Sequence, residues 1–237
     1  MKKDAAYNPQ AVDVRQMFND IAPKYDFLNH FLSAGSDKRW RRKTIRMLKP
    51  FSPKQILDIA TGTGDLALEA LSLNPDHITG VDISEEMMKI GEKKILQKNV
   101  QDKISFQQAA SENLPFQDTS FDAVTVAFGV RNFNDLEKGL SEIYRVLKKG
   151  GAAAILEFSV PTSFPMKQGY LFYFKRILPL IGKIVSKNSM AYTYLPDTVL
   201  SFPQGKTFCA MLEKQGFSKT SFKRLSAGIC SIYLAEK

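Results

Sequence analysis

The chain has 237 residues, 44% of them apolar and 24% charged, the proportions of a globular domain rather than of a disordered or fibrous chain. No uncharged apolar run reaches the ~18 residues that a membrane-spanning helix needs, and Met1-Lys2-Lys3-Asp4 leads into no apolar signal core, so a cytoplasmic location is expected. The formal net charge of +9 is divided unevenly, with +7 on residues 1–57, −6 on 58–160, +5 on 161–206 and +3 on 207–237; an acidic core between basic flanks suits contact with an anionic surface, either membrane or nucleic acid.

Residues 1–12 are polar and expected to fray. From Val14, apolar residues at Met17/Phe18, Ile21/Ala22, Tyr25, Leu28 and Phe31/Leu32 recur at helical spacing, with Pro23 breaking or kinking the helix. After the Ser33-Ala34-Gly35-Ser36 break, Asp37 to Leu48 predicts a second helix, with Trp40, Thr44, Met47 and Leu48 on one face and six cations mostly elsewhere. Strands are predicted at 55–60, 77–82, 103–109, 121–128 and 152–160, with helices at 65–73, 84–98 and 135–148 between them, the alternation of an α/β doubly wound, mostly parallel sheet. Val146 to Gly151 reads as a helix end with a glycine stop. Residues 163–183, aromatic and aliphatic with interspersed cations, read as a cover for an apolar substrate or as a membrane-interface segment. A helix from Leu200 to Gly216 and an antiparallel hairpin of Phe217–Leu225 and Gly228–Ala235 complete seven strands. The expected organisation is one domain over 1–237: a helical lid (1–50), a cofactor-binding core (51–160), an apolar cover (161–200) and a closing helix and hairpin (201–237). Cys209 and Cys230 are expected to be reduced core residues; with His30 and His77 they offer no metal spacing, and no metal is expected.

Ligands of such sheets sit at the carboxyl ends of the strands, here where 61–65, 82, 110–112 and 127–132 converge. Ile56-Leu57-Asp58-Ile59-Ala60-Thr61-Gly62-Thr63-Gly64-Asp65 reads as a buried strand, a glycine turn and a helix start. Gly62 and Gly64 let a ligand approach the backbone, and N–H groups at the helix start face it. A dinucleotide fold would want a third glycine where Ala67 stands, and a triphosphate loop would end in Gly-Lys-Ser/Thr. Asp58 would repel a pyrophosphate but suits an ammonium or sulfonium charge, and Asp82 can accept from both ribose hydroxyls. Adenine, ribose and a cationic amino acid together make S-adenosylmethionine. The spacing apolar-x-apolar-Asp-x-x-x-Gly-x-Gly, with an acid 18 residues after the second glycine, resembles the class I methyltransferases.

Further segments narrow that resemblance. Phe18-x-x-Ile21-Ala22-x-x-Tyr25-Asp26-x-Leu28-Asn29, Leu32-Ser33-x-Gly35, Trp40-Arg41, Leu114-Pro115-Phe116, Phe128-Gly129-Val130-Arg131-Asn132 and Arg145-Val146-Leu147-Lys148-x-Gly150-Gly151 occur in this order. From Phe18 onward the chain resembles the ubiquinone/menaquinone C-methyltransferase family. The resemblance implies methylation of a ring carbon of a prenylated naphthoquinol, 2-demethylmenaquinol, in menaquinone biosynthesis; a ubiquinone precursor or another apolar phenol is the alternative acceptor. It carries Gly62, Thr63 and Gly64 to the methionine end of the cofactor, Asp82 to the ribose, Ala110 and Ser111 to the adenine, and Ala127 to the pocket wall. The family often has Asp or Asn where Ala110 stands.

Arg131 is the candidate cation for a developing phenolate, or for orienting a water that takes the proton, and Tyr25 the candidate contact to a quinol oxygen. A prenyl tail keeps the acceptor in the bilayer, so peripheral contact with the anionic inner face of the cell membrane is expected. The basic flanks leave an RNA-binding methyltransferase as the alternative from another class. Against it, the cations are not interleaved with aromatics as in an RNA module, and an Asn/Asp-Pro-Pro-Tyr tetrapeptide is missing after the fourth strand, so no nucleic-acid partner is expected. Homo-oligomerisation is left open.

Overall fold

The computed structural model describes residues 13–33, 35–177 and 190–237. The expected frayed start and the last six residues of the 163–183 segment, 178–183, fall outside the described residues. In chain order the elements are α1 (Val14–Leu32), α2 (Ser36–Met47), β1 (Gln55–Ile59), α3 (Asp65–Ala70), β2 (His77–Asp82), α4 (Glu85–Gln97), β3 (Ile104–Gln108), β4 (Phe121–Ala127), α5 (Leu136–Val146), β5 (Leu147–Phe158), α6 (Met166–Phe172), α7 (Met190–Ser201), α8 (Lys206–Lys214), β6 (Lys219–Leu225) and β7 (Cys230–Glu236). They build one seven-stranded sheet in the order β3-β2-β1-β4-β5-β7-β6. Strands β1 to β5 run parallel, and β7 is antiparallel to both β5 and β6.

The central strands are buried on both faces, as the apolar runs of β1 and β5 require. On one face Ile45 and Leu48, at the end of α2, pack with Ala67 and Ala70 of α3 over Ala123, Ala152 and Ala154. On the other, Leu140 and Ile143 of α5 join Phe208 and Leu212 of α8 over Val124, Ala153 and Tyr233. The alanine run of β5 has small side chains on both sides, so helices approach the sheet closely there. Helix α1 continues through Pro23 without ending.

The sequence reading of Val146–Gly151 as a glycine-stopped helix end needs correction. Helix α5 ends at Val146, and β5 already begins at Leu147. Leu147 pairs with Phe121, then the register shifts so that Ala152 pairs with Ala123. The surplus residues form a bulge, with Gly150 at φ 79°. A Cβ on Gly151 would lie 2.6 Å from the Asp122 carbonyl oxygen. Both glycines serve the bulge.

Three other glycines make room for a single ring. Phe106 of β3 lies where a Cβ on Gly64, Gly80 or Gly91 would come within 2.7, 2.5 or 2.4 Å of it. The glycine turn, β2 and α4 therefore all close on the same side chain, which fixes the turn relative to the sheet. In an open helix interior, Gly91→Ala should stabilise by about 1 kcal/mol. Here the contact reverses the sign, and Gly91→Ala is expected to cost roughly 1–3 kcal/mol, a drop of several degrees in Tm; a thermal melt showing a higher Tm would contradict this packing.

Candidate functional site

A crevice opens at the carboxyl ends of β1, β2 and β4. After β1 the chain turns through Ala60 (φ 53°), Gly62 (φ 55°) and Gly64 (φ 78°), and after β4 Phe128 also lies in the left-handed region (φ 57°). A bulky residue there is strained, and such strain gathers at sites where geometry is imposed from outside. The two turns interlock, because a Cβ on Gly129 would fall 2.4 Å from the Ala60 Cβ. Phe128 is held by its ring, which stacks on Phe158 at 4.5 Å, and by its carbonyl, which accepts from Arg131 Nη1 at 2.6 Å.

The crevice contains a pocket of ≈ 60 Å³ and, next to it, a recess of ≈ 30 Å³. Tyr25, Ala60, Gly62, Ala127 and Phe128 line both. Asp82 lines the pocket with Ile83, Met87, Ser111 and Glu112. Its Oδ2 accepts from the Gly62 N–H and its Oδ1 from the Ser84 N–H, each at 2.8 Å. Burial pushes the Asp82 carboxyl up, and these two donors oppose the rise. Each oxygen keeps a further lone pair for a ligand hydroxyl.

Asp58 lies on the floor of the recess and is 1% exposed. It accepts from Thr125 Oγ1 at 2.6 Å and from Thr61 Oγ1 at 2.7 Å. Burial pushes its pKa up to about 6 against those hydrogen bonds. With both oxygens engaged and almost no exposed surface, Asp58 offers the recess its field more than a contact.

Of the predicted adenine pair, Ser111 lines the pocket, whereas Ala110 is not among its lining residues. Glu112, which no local motif aims at the pocket, also lines it and accepts from Ser111 Oγ at 3.0 Å. Ile83, Met87, Phe18 and Phe133 also escaped the sequence reading. The signal for Ile83 was its place directly after the strand-ending acid.

The first two helices are fastened onto the glycine turn. Thr63 Oγ1 donates to Asp26 of α1 at 2.6 Å. Lys94 of α4 reaches Asp26 and Asp65 at 2.6 Å each and Thr63 Oγ1 at 3.0 Å. Arg41 of α2 bridges Asp37 and Asp65. Every cation at the recess is thereby paired, and no Lys or Arg lines the pocket itself. An acidic crevice of this kind disfavours a phosphate and accommodates an uncharged nucleoside with a cationic end. Tyr25, brought to the same crevice by α1, has its phenol pushed up by burial, opposed by a hydrogen bond with Asn29 and by the charge of Arg131.

Arg131 does not line the crevice. Its side chain is 7% exposed and its Nη1 donates to Glu157 Oε1 at 2.7 Å, where Glu157 is fully buried on β5. Burial pushes the Glu157 carboxyl up, and the Arg131 charge opposes this. The Phe158 N–H also donates to Oε1 at 2.8 Å, and the guanidinium lies 5.6 Å from the Phe158 ring centre. The predicted cation is thus a buried ion-pair member that fixes the Phe128–Asn132 loop. Asn132 lines the pocket in its place.

With this geometry in hand, comparisons with known proteins bear on it. The family model described as the ubiE/COQ5 methyltransferase family matches residues 4–237. A demethylmenaquinone methyltransferase of Bacteroides fragilis is 52% identical over 225 residues, 94% of this chain and 92% of that protein. The protein of that name from Porphyromonas gingivalis is 47% identical over 231 residues, 97% and 94% of the two chains. Among solved structures, a SAM-dependent methyltransferase of Thermotoga maritima has a TM-score of 0.65 at 20% identity, covering 93% of this chain and 98% of that one. At such identity the likeness concerns the fold, the seven-stranded class I methyltransferase sheet. Among the described residues no helix is long and apolar enough to cross a membrane, and no His, Cys, Asp and Glu cluster could hold a metal.

The buried pair yields a stability test. Arg131→Met leaves a carboxylate uncompensated in the core and is expected to cost about 3–5 kcal/mol, whereas Arg131→Met combined with Glu157→Gln should recover most of that loss. Urea unfolding of the single and double variants measures it; equal losses in both would show that the pairing is not what stabilises this corner.

Proposed function

We infer the reaction from one premise: the chain belongs to the ubiE/COQ5 methyltransferase family. The protein is a methyltransferase of menaquinone biosynthesis. Its acceptor is 2-demethylmenaquinol and its product menaquinol. S-adenosylmethionine supplies the electrophilic methyl group. The observation that carries this reading is the acid-lined glycine crevice with every neighbouring cation already paired. The names of the relatives supply the acceptor.

Gly62, Thr63 and Gly64 take the methionine end, with the field of Asp58 beneath it. Asp82 accepts from the ribose hydroxyls with the lone pairs its backbone donors leave free. Ser111 bonds the adenine, Ile83 and Met87 pack against it, Ala110 offers its backbone, and Ala127 closes the wall. Residues 1–50 act as the lid that excludes water from the crevice, and Tyr25 reaches one quinol oxygen from it.

A naphthoquinol is electron-rich, and loss of a phenolic proton to water pushes density onto the unsubstituted ring carbon. As that carbon bonds the methyl group the methyl–sulfur bond breaks, and S-adenosylhomocysteine is the leaving group. Loss of the ring hydrogen as a proton, with reprotonation of the oxygen, restores the aromatic quinol. The main work is to hold that carbon in line with the methyl group in a dry site. The charge of Arg131 is shared with Glu157, so its proposed role is to position the 128–132 loop and to lend what remains of its field to the phenolate. A donor within a dry site stabilises such charge more than it would in water.

The acceptor's tail stays in the bilayer, since each buried CH₂ contributes ~0.8 kcal/mol, and the enzyme must come to it. Phe164 is 81% and Phe172 61% exposed, beside Lys167 and Arg176, which face solvent. Two aromatics and nearby cations favour docking on anionic lipid, at about 1 kcal/mol per near-surface cation. Peripheral, salt-sensitive membrane association follows.

Two experiments test these readings. Incubated with methyl-labelled S-adenosylmethionine and reduced demethylmenaquinone, the protein is expected to place label on the ring carbon; label only on oxygen, or on RNA supplied as a competing acceptor, refutes the assignment. In flotation with anionic vesicles at low salt the protein should rise with the lipid, and Phe164→Ser with Phe172→Ser should lower the bound fraction severalfold. If the wild type stays at the bottom of the gradient, the membrane reading is wrong.

A further inference from the structure

Behind the Phe128–Phe158 stack lies a second chamber that the steps above leave unused. It measures ≈ 200 Å³ and is lined by Phe158, Met166, Gly169, Tyr170, Phe174 and Leu195 among others. Phe128, on the other side of the stack, lines the cofactor crevice, so one pair of rings is the wall between the two spaces. An apolar cavity of ~150 Å³ stays dry and holds a benzene-sized guest; this one has room for a branched hydrocarbon of one or two isoprene units. Met166 and Gly169 open it to solvent beside the exposed Phe164 and Phe172, so a chain entering here can continue toward a lipid surface.

The same wall gathers unmet hydrogen-bonding capacity. Arg131 Nε, Asn132 Oδ1 and the Tyr170 hydroxyl are buried with no partner, and native cores leave few such atoms. Asn132 lines the cofactor crevice and Tyr170 lines the chamber, while Arg131 lies between, against the Phe158 ring. One unpartnered polar atom thus belongs to a residue on the crevice side of the wall and another to a residue on the chamber side.

We propose that the chamber binds the ring-proximal isoprenoid units of the acceptor, and that Asn132 Oδ1 and the Tyr170 hydroxyl take its two ring oxygens at the threshold. This rests on the quinol reading above and extends it. In that acceptor the carbon to be methylated adjoins the carbon bearing the chain. Each of the two has its own oxygen-bearing neighbour. A chain anchored in the chamber therefore sets the oxygen beside it against Tyr170. The reacting carbon and the other oxygen are left toward the crevice and Asn132, where the quinol O–H donates to the amide oxygen.

The test uses the full chain and two probes, 1,4-naphthoquinone and the same ring bearing one geranyl chain. Trp40, the only tryptophan, has its ring centre 6.3 Å from those of both Phe128 and Phe158, so quinone quenching of its fluorescence reports binding without any methyl transfer. The wild type should bind the geranyl compound at least about tenfold more tightly than the bare ring. Gly169→Leu suits helix α6 and its Cβ meets no atom within 4 Å; it should cut that preference about tenfold, with a matching fall in the ratio of kcat/KM between the two reduced acceptors.

Tyr170→Phe should raise KM for both acceptors about fivefold or more. It should leave Tm level or higher, since it removes a hydroxyl without a partner. Equal binding of the two quinones by the wild type, equal losses for both in Gly169→Leu, or an unmoved KM in Tyr170→Phe would each overturn the proposal. A chain preference in quenching without label reaching the ring carbon would uphold the chamber and overturn the reaction proposed above.

Discussion

The buried pair Arg131–Glu157 is the constraint around which this site is arranged. Taking both charges out of water costs several kcal/mol per ion, and a well-packed apolar pair is often no less stable. What the ion pair adds is a defined geometry. Through Nη1, Arg131 holds the carbonyl of Phe128, a residue that would otherwise resist its left-handed backbone, at a strain of about 1–3 kcal/mol. With Phe128 fixed, its ring lies on Phe158 and Gly129 fits against Ala60. The end of β4 thereby becomes a wall with a polar space on one face and an apolar one on the other.

Helix α2 connects that wall to the glycine turn. Trp40 packs edge-on to Phe158 and donates through Nε1 to Ser226 at 3.0 Å, next to the closing hairpin. Arg41, the next residue, reaches Asp65 at the start of α3 at 3.0 Å. Adjacent residues thus join the two ends of the site. They also divide the basic helix: Arg41 is buried and committed to structure, whereas Lys38, Arg39, Lys43 and Arg46 face solvent.

The regular core was legible because its signals are local. Apolar runs, an acid at the strand end and glycines in the turn each constrain their own few residues, and β1, β2, β4 and the closing hairpin emerged close to their predicted spans. What stayed hidden depends on pairing across the chain. The bulge before Ala152 arises from register with Phe121, which a glycine pair alone does not announce. Glu157 was visible as an acid inside Ala-Ile-Leu-Glu-Phe, an anomaly that demands a cationic partner, yet nothing local pointed to Arg131, 26 residues away. Glu112 rather than Ala110 lines the pocket because the turn after β3 carries position 112 back toward α5, where its carboxylate accepts from the Asp135 N–H. The chamber behind Phe158 was not legible either, since α6, α7 and the hairpin all contribute to it.

The separation of the two spaces bears on why carbon, and not oxygen, would be alkylated. A naphthoquinol offers more than one nucleophilic atom, and its phenolate oxygen is the more exposed of them. Intrinsic reactivity therefore does not choose the outcome; orientation does, and only contacts that favour one presentation in the transition state can select it. A bare ring can turn in its own plane within an apolar slot at little cost. A ring whose chain is held beyond the Phe128–Phe158 wall has lost that rotation, and the atom adjoining the chain-bearing carbon is the one left facing the crevice. Selectivity for carbon then depends on a hydrocarbon that takes no part in the bond being made, and the wall that Arg131 and Glu157 maintain is what converts its binding into direction.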